Sequence, residues 1–326
     1  MRTSNAVAIR MALRNGEVME IGEVSQAKVR NSRFEVLAGF AAIYLIWGST
    51  YLGIRYAVET IPPLLMMGIR HTTAGLLVYA WARSRGAAAP QLRHWRYAAI
   101  AGLFLFVAGH GVLAWAEQKI PSGLAALLCA TLPLWTVLVA RLKGAEQKIS
   151  GKAWAGLILG FAGVGVLIGP GALRAHGALS LLGIAAAISS ALAWAVGTIY
   201  SKSVHMSSST VLTAAMQMVA GGVLLLVAAF ASGETMHVAA FSLRSLLALA
   251  YLIVFGSIIA FTVFTWLLTV ASPSRVSTYA YVNPVVAVLL GWVLAGEAVG
   301  WNTWVATIVI MAGVALVSTR SAKESH

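Results

Sequence analysis

From about residue 34 onward the chain alternates between long apolar runs and short polar breaks, and the runs share one length. Ten of them fall at about 34–54, 63–82, 96–116, 122–142, 152–169, 180–200, 210–231, 244–268, 274–294 and 301–319. As helices rising about 1.5 Å per residue, runs of roughly 18–24 residues cross a hydrocarbon core about 30 Å thick. Only helices and closed barrels satisfy their backbone in lipid, and the period-2 alternation of a barrel strand is missing. The pattern predicts an all-α polytopic membrane protein with ten transmembrane helices.

Composition agrees: of 326 residues 60% are hydrophobic and 10% charged, with a mean hydropathy of +0.84. Such a chain cannot hide its apolar surface in a soluble core, so the bilayer is its main solvent. A net charge of +13 would ordinarily suggest a nucleic-acid partner, but its placement argues otherwise. With the N-terminus inside, eighteen of the 23 Lys and Arg fall in cytoplasmic segments. Four (Arg55, Lys119, Arg174 and Arg244) fall outside, and Arg70 lies within helix 2. This asymmetry puts both termini in the cytoplasm of a plasma (bacterial inner) membrane protein and excludes nucleic acid as the partner. Residues 1–33 are polar, lack the apolar core of a secretory signal, and read as a disordered cytoplasmic tail, with Met11 or Met19 as alternative starts. Residues 320–326 read as a second short tail. Cys129 is alone and forms no internal disulfide.

The second half repeats the first at an offset of about 147–151 positions. Trp47 falls on Trp194, Arg55 on Lys202, Arg70 on Gln217 and Gly75 on Gly222. Further along, Trp115 meets Trp266, Pro133 meets Pro284 and Glu146 meets Glu297. The chain therefore divides into five-helix units at 34–169 and 180–319. An odd number of spans makes the two copies enter the membrane from opposite sides, an inverted repeat. Secondary transporters use that arrangement, with substrate near the midplane between the copies, beside interrupted helices. Pro133 and Pro284 each remove a backbone donor inside an apolar run, so they are helix-break or gating positions as well as ordinary packing kinks.

Three stretches, "LIWGSTYLGIRYAVETIPPLLMMGIR", "IPSGLAALLCATLPLWTVL" and "STYAYVNPVVAVLLGWVLAGE", resemble the EamA family of the drug/metabolite transporter superfamily, in particular its permease-type members. The resemblance covers about residues 35–319. It implies ten helices, cytoplasmic termini and export of small metabolites, amino acids prominent among them.

Candidate binding residues follow from polar and aromatic groups inside apolar runs. Arg70 is placed to attract a carboxylate, or alternatively to snorkel or to pair with Glu59. His71 faces elsewhere on an ideal helix. His110 lies deep in helix 3, with Glu117 seven residues on, along the same face and about 10 Å further along the axis. His110 suits a carboxylate, a ring or a proton, and Glu117 an ammonium; the plainer reading pairs Glu117 with Lys119 at the surface. Trp47 and Trp194 lie mid-span, where an interfacial belt does not explain them, and suit an amphipathic cavity or core packing. Tyr279 and Asn283 share a face at i, i+4, and a mid-membrane amide needs partners. Gln217 enters as the repeat mate of Arg70. Glu146 and Glu297 read as braces of the helix that follows each. Gly156 and Gly160, four apart, allow close helix contact.

All ten acids are Glu, and none falls at the centre of a span, which argues against a proton-coupled exporter of cationic drugs. No HExxH, P-loop or aspartyl pair is present, so neither a metal nor another cofactor nor an enzyme activity is expected. The expectation is a secondary transporter exporting small neutral metabolites, amino acids foremost, by alternating access. A multidrug or other metabolite exporter is the alternative within that class, and a lipid flippase or a non-transporting scaffold outside it. The sequence sets no oligomeric state.

Overall fold

The computed structural model describes the backbone of residues 21–144, 151–207, 209–297 and 299–318, and among these residues every regular element is helical. Helix α1 (Ile21–Ala57) is followed by α2 (Pro63–Ser84). Next comes a continuous helix made of α3 (Leu92–Gly102), a π segment π1 (Leu103–Gly111) and α4 (Val112–Glu117). Two short helices α5 (Ser122–Cys129) and α6 (Leu132–Leu142) precede the long α7 (Gly151–Ser203) and then α8 (Thr210–Ala231). A second continuous helix joins α9 (Leu243–Tyr251), π2 (Leu252–Ile259) and α10 (Ala260–Val270). The short α11 (Pro273–Val276), α12 (Tyr279–Ala295) and α13 (Trp301–Ser318) complete the order.

Among the described residues six segments are long and apolar enough to cross a membrane: Phe34–Ala57, Leu92–Glu117, Ser122–Leu142, Leu181–Ser203, Thr210–Ala231 and Leu243–Val270. Val282–Ala295 and Trp301–Gly313 are shorter apolar helices. The protein is a polytopic helical membrane protein. Helix α2 has the length of a span but carries Arg70 and Arg83, which lower its hydropathy.

The backbone of residues 21–33 is helical and continuous with the rest of α1. The Glu, Ala, Lys, Gln and Arg there are good helix formers, and an existing helix propagates more easily than a new one nucleates. The expected gap between spans at 152–169 and 180–200 is also helical, so α7 runs through Pro170 for 53 residues. Hydropathy drops at Arg174 and His176, and Gly169, Pro170 and Gly171 disfavour a helix interior, so local propensity does not account for this continuity. Pro133 does stand beside a helix break, as its place in the apolar run suggested. It occupies the first turn of α6, after a break at Ala130–Thr131, where its missing N–H is no loss. Pro284, in contrast, does lie inside α12. The tails 1–20 and 319–326, Glu146 and the side chain of Tyr281 lie outside the described residues.

One close helix crossing joins α2 to α8, one from each half of the chain. A Cβ on Gly75 would stand 2.6 Å from the Val219 backbone nitrogen, and one on Gly222 would meet the Thr72 backbone. The two glycines that match in the repeat are thus the two that let these backbones touch. On the other side, the backbone of α7 at Gly156 and Gly160 fills the space beside Gly313 of α13, as the glycine spacing suggested. Packing around these contacts buries Phe106, Phe261, Phe264 and Leu105 at the centre.

Candidate functional site

Between α1, π1, α7 and α12 lies a cavity of about 60 Å³, room for about four to six waters. Its wall combines the aromatic side chains of Trp47, Tyr51, Trp194 and Tyr279 with the polar side chains of His110, Ser190 and Asn283. Cys129 and Leu132 close it from the broken α5–α6 pair. No Glu, Lys or Arg belongs to this lining.

The aromatic part is fixed from behind. Trp47 Nε1 donates to the Gly256 carbonyl of π2 at 3.0 Å. Its ring meets Trp194 edge-on at 5.7 Å and Tyr279 edge-on at 4.7 Å, arrangements that aromatic quadrupoles favour. Trp194 lies against His110 at 4.5 Å, and its own Nε1 is buried without a hydrogen-bond partner.

Polar groups form a chain behind His110. His110 Nδ1 is 2.9 Å from His71 Nε2, and His71 Nδ1 is 3.4 Å from the Ser257 hydroxyl. Ser257 Oγ accepts from Arg70 Nε at 2.8 Å. His71, Ser257 and Arg70 are all fully buried, so this chain reaches the cavity only through His110. On the opposite wall Asn283, 2% exposed, donates through its amide nitrogen to the Tyr279 and Tyr44 carbonyls, each at 3.0 Å. The carbonyl that Pro284 deprives of its helical donor is that of Ala280; Asn283 bonds instead to the carbonyl one residue before it. It thereby ties α12 to α1.

Of the residues singled out in the sequence, Trp47, His110, Trp194, Tyr279 and Asn283 come together around the cavity. Five do not reach it, for identifiable reasons. Arg70 is neither snorkelling nor bonded to Glu59; it stands behind the two histidines, and Glu59 meets Arg244 at 3.6 Å. Glu117 is not in the cavity lining; seven residues beyond His110, it lies about 10 Å further along the helix axis. It is not paired with Lys119, which lies over the Trp115 ring; both Glu117 oxygens are buried with no hydrogen-bond partner. Gln217 donates to Ser201 Oγ and Met206 Sδ, away from the cavity. Pro133 and Pro284 stay behind the wall, which their neighbours Leu132 and Asn283 line.

Glu297 does not brace the helix that follows it. Its carboxylate accepts from Ser122 N, Ser122 Oγ and Gly123 N, capping α5, and stands 3.5 Å from Arg55. Glu234 caps α2 in the same way through Leu64 N and Leu65 N. Sequence reasoning missed Ser257, Tyr44 and the part played by His71. A lone serine inside the apolar run "LIVFGSIIAF" was the available signal for the first; nothing local marked the other two.

The small polar and aromatic cavity thus lies at the centre of a helical membrane protein. The comparisons name the class. The EamA-like transporter family matches residues 34–169 and again 181–319, and the chain belongs to that family. The inner membrane transporter YedA of Escherichia coli K12, itself uncharacterized, is 41% identical over 279 residues, 85% of this chain and 88% of that one. The uncharacterized transporter YvbV of Bacillus subtilis is 26% identical over 281 residues, 86% and 90% of the two chains. A solved structure described only as a crystal structure of a protein shares the fold, with a TM-score of 0.64 at 23% identity over 87% of this chain and 97% of that one. The cavity wall draws on both family-matched segments: Trp47, Tyr51 and His110 from the first, Ser190, Trp194, Tyr279 and Asn283 from the second.

Proposed function

We propose that this transporter exports small neutral metabolites across the inner membrane, amino acids foremost, by alternating access between two inverted five-helix halves. The observation that carries the reading is the uncharged polar and aromatic cavity shared by the two matched segments. Such a wall suits a molecule with no net charge, offering hydrogen bonds to its polar end and ring faces to its apolar end. Its volume, well below the roughly 300–1,000 Å³ of open ligand pockets, corresponds to a contracted state that must widen during the cycle.

Three further observations support the inverted repeat. The glycine mates Gly75 and Gly222 meet reciprocally across α2 and α8. At an offset of about 151, π1 (Leu103–Gly111) overlaps π2 (Leu252–Ile259). Such widened turns are costly in lipid and cluster at functional sites. The family also matches twice along the chain. In this reading both termini are cytoplasmic, no cofactor takes part, and Glu117 becomes reachable only as the helices rearrange.

The test is counterflow in proteoliposomes loaded with a mixture of unlabelled amino acids and challenged with each labelled one. Accumulation of a subset, lost in Asn283→Ala while membrane expression persists, is the expected result. Full transport by Asn283→Ala would remove the site assignment, and no accumulation of any amino acid would remove the substrate class.

A further inference from the structure

Helix α1 carries two stripes of side chains. Trp47, Thr50, Tyr51 and Ile54 face the central cavity, and Ser49, Leu52, Gly53 and Tyr56 repeat the same spacing two residues later. At about 100° per residue, that offset puts the second stripe on the opposite side of the helix. There it meets Arg244, Leu247, Ala248 and Tyr251 of α9, while Leu290 and Leu294 of α12 form the third side. The three helices bound a groove of about 340 Å³, larger than the central cavity and within the size range of ligand pockets.

The two ends of the groove differ in chemistry. Small buried residues, Gly53 and Ala248, leave its middle empty, and the rim residues Leu247 and Leu294 are exposed. Ser49 and Tyr251 close one end through a hydrogen bond between their hydroxyls. Seven residues away along each helix, about 10 Å, the other end is charged. Arg244 lies over the Tyr56 ring, and its guanidinium is 3.6 Å from the Glu59 carboxylate. At that distance the two attract without a hydrogen bond, and both side chains are more than a third exposed. The backbone beneath them is fastened: Ser245 Oγ donates to the Tyr56 carbonyl, and the Ser242 amide donates to Thr60 Oγ1. This pair stands where the span Phe34–Ala57 ends and the span Leu243–Val270 begins, the level of lipid headgroups, with the apolar groove running inward from it. A cation and an anion side by side there match a headgroup that carries both a phosphate and an ammonium. The arginine fork donates to phosphate oxygens, and the carboxylate accepts from an N–H. An anionic headgroup without an amine would meet Glu59 as a like charge, and a trimethylammonium has no N–H to donate.

We propose that this groove binds phosphatidylethanolamine, with one acyl chain lying between α1, α9 and α12, the phosphate on Arg244 and the ammonium on Glu59. The site is separate from the central cavity, and α1 is the wall between them. Charge pairing at the headgroup supplies the selectivity, and burial of the acyl chain against Leu52, Leu247 and Leu290 supplies affinity for any phospholipid.

The experiment titrates the full chain, purified in detergent and stripped of lipid, with phosphatidylethanolamine, phosphatidylglycerol and phosphatidylcholine of identical acyl chains. Bound lipid is counted by native mass spectrometry. Phosphatidylethanolamine is expected to bind about fivefold more tightly than the other two, the effect of one favourable charge contact near a membrane surface. Arg244→Ala should weaken its binding about fivefold for the same reason. Glu59→Gln removes the acceptor for the ammonium and the repulsion of phosphatidylglycerol, so the preference between these two lipids should vanish. Ala248→Leu fills the middle of the groove and should weaken all three lipids about tenfold, the equivalent of about two methylenes left unburied. The two headgroup variants change exposed side chains, so they keep the test open should Ala248→Leu fail to assemble. Equal binding of the three lipids to the wild type, or a preference unchanged in both headgroup variants, overturns the proposal. Undiminished binding of all three lipids by a folded Ala248→Leu overturns the placement of the acyl chain in this groove.

Discussion

Glu297 and Glu117 are both carboxylates held out of water near the same end of the bundle, and their surroundings treat them in opposite ways. The Glu297 side chain is 8% exposed and receives three hydrogen bonds from the start of α5, with Arg55 beside it. Glu117 is 1% exposed and receives none. A buried acid with donors at a helix N-terminus is a fastening, because its charge offsets the unpaired N–H groups and the helix dipole. A buried acid that no donor bonds, with Arg55 and Arg70 acting on it only at a distance, is a standing cost, and native structures keep few of these. The difference separates the part of the molecule built to hold from the part built to change.

That contrast is broken most forcefully at Glu297. Glu297→Ala strips α5 of its cap and leaves the Ser122 and Gly123 amides without their acceptor. Hydrogen bonds to a charged group contribute about 1.5–3 kcal/mol each but are not additive, and Arg55, 39% exposed, can turn to water. The expected loss is about 3 kcal/mol, read from thermal unfolding in detergent. A change below about 1 kcal/mol would mean that the cap is decorative.

Arg244 offers a milder version of the same fastening. It stands 3.6 Å from Glu59 and over the Tyr56 ring at 3.6 Å, but both charged side chains are more than a third exposed. Exposed ion pairs contribute about 0–1 kcal/mol, and an exposed cation on a ring about 0.5–1. Arg244→Ala should cost about 1 kcal/mol at low salt. Repeating the unfolding at high salt shows which contact matters: a cost that persists belongs to the ring stacking, and one that vanishes belongs to Glu59.

How much of this was legible beforehand depends on the range of the interaction. Hydropathy finds segments that must leave water, so most of the membrane-crossing helices and the pairing of Tyr279 with Asn283 at i, i+4 could be read directly. Matching landmarks suggested the glycine mates that meet in the α2–α8 crossing. Partners across the bundle could not be read in this way. Nothing near Glu297 says that its donors are 174 and 175 positions away, and nothing near His71 says that a π segment of another helix presents His110 to it. The break at Ala130–Thr131 was legible only through Pro133, since the apolar run through it is otherwise continuous. Gln217 shows the limit of symmetry. Repeat mates share a place in the fold but not a neighbourhood, and only Arg70 has a serine and two histidines beside it.

The smallest expected effect is the one that sharpens the comparison most. Glu117→Gln keeps the shape of the side chain and removes the possibility of charge. If Glu117 is ionised in the folded protein, the substitution removes a buried charge with no donor but also the attraction it has for Arg55 and Arg70, and the two effects offset. If it is protonated, a neutral group replaces a neutral group of nearly the same volume and stability stays where it was. In either case nothing that now bonds to Glu117 loses a partner, since among the described residues nothing does. Thermal unfolding of Glu117→Gln should therefore show no loss beyond about 0.5 kcal/mol, the usual range for a change that breaks no contact. Glu297→Gln, which inserts an amide where three donors converge, should lose clearly more. If the two glutamine variants lose equal stability, Glu117 has a partner after all, and the division between a fastened acid and an uncommitted one does not hold.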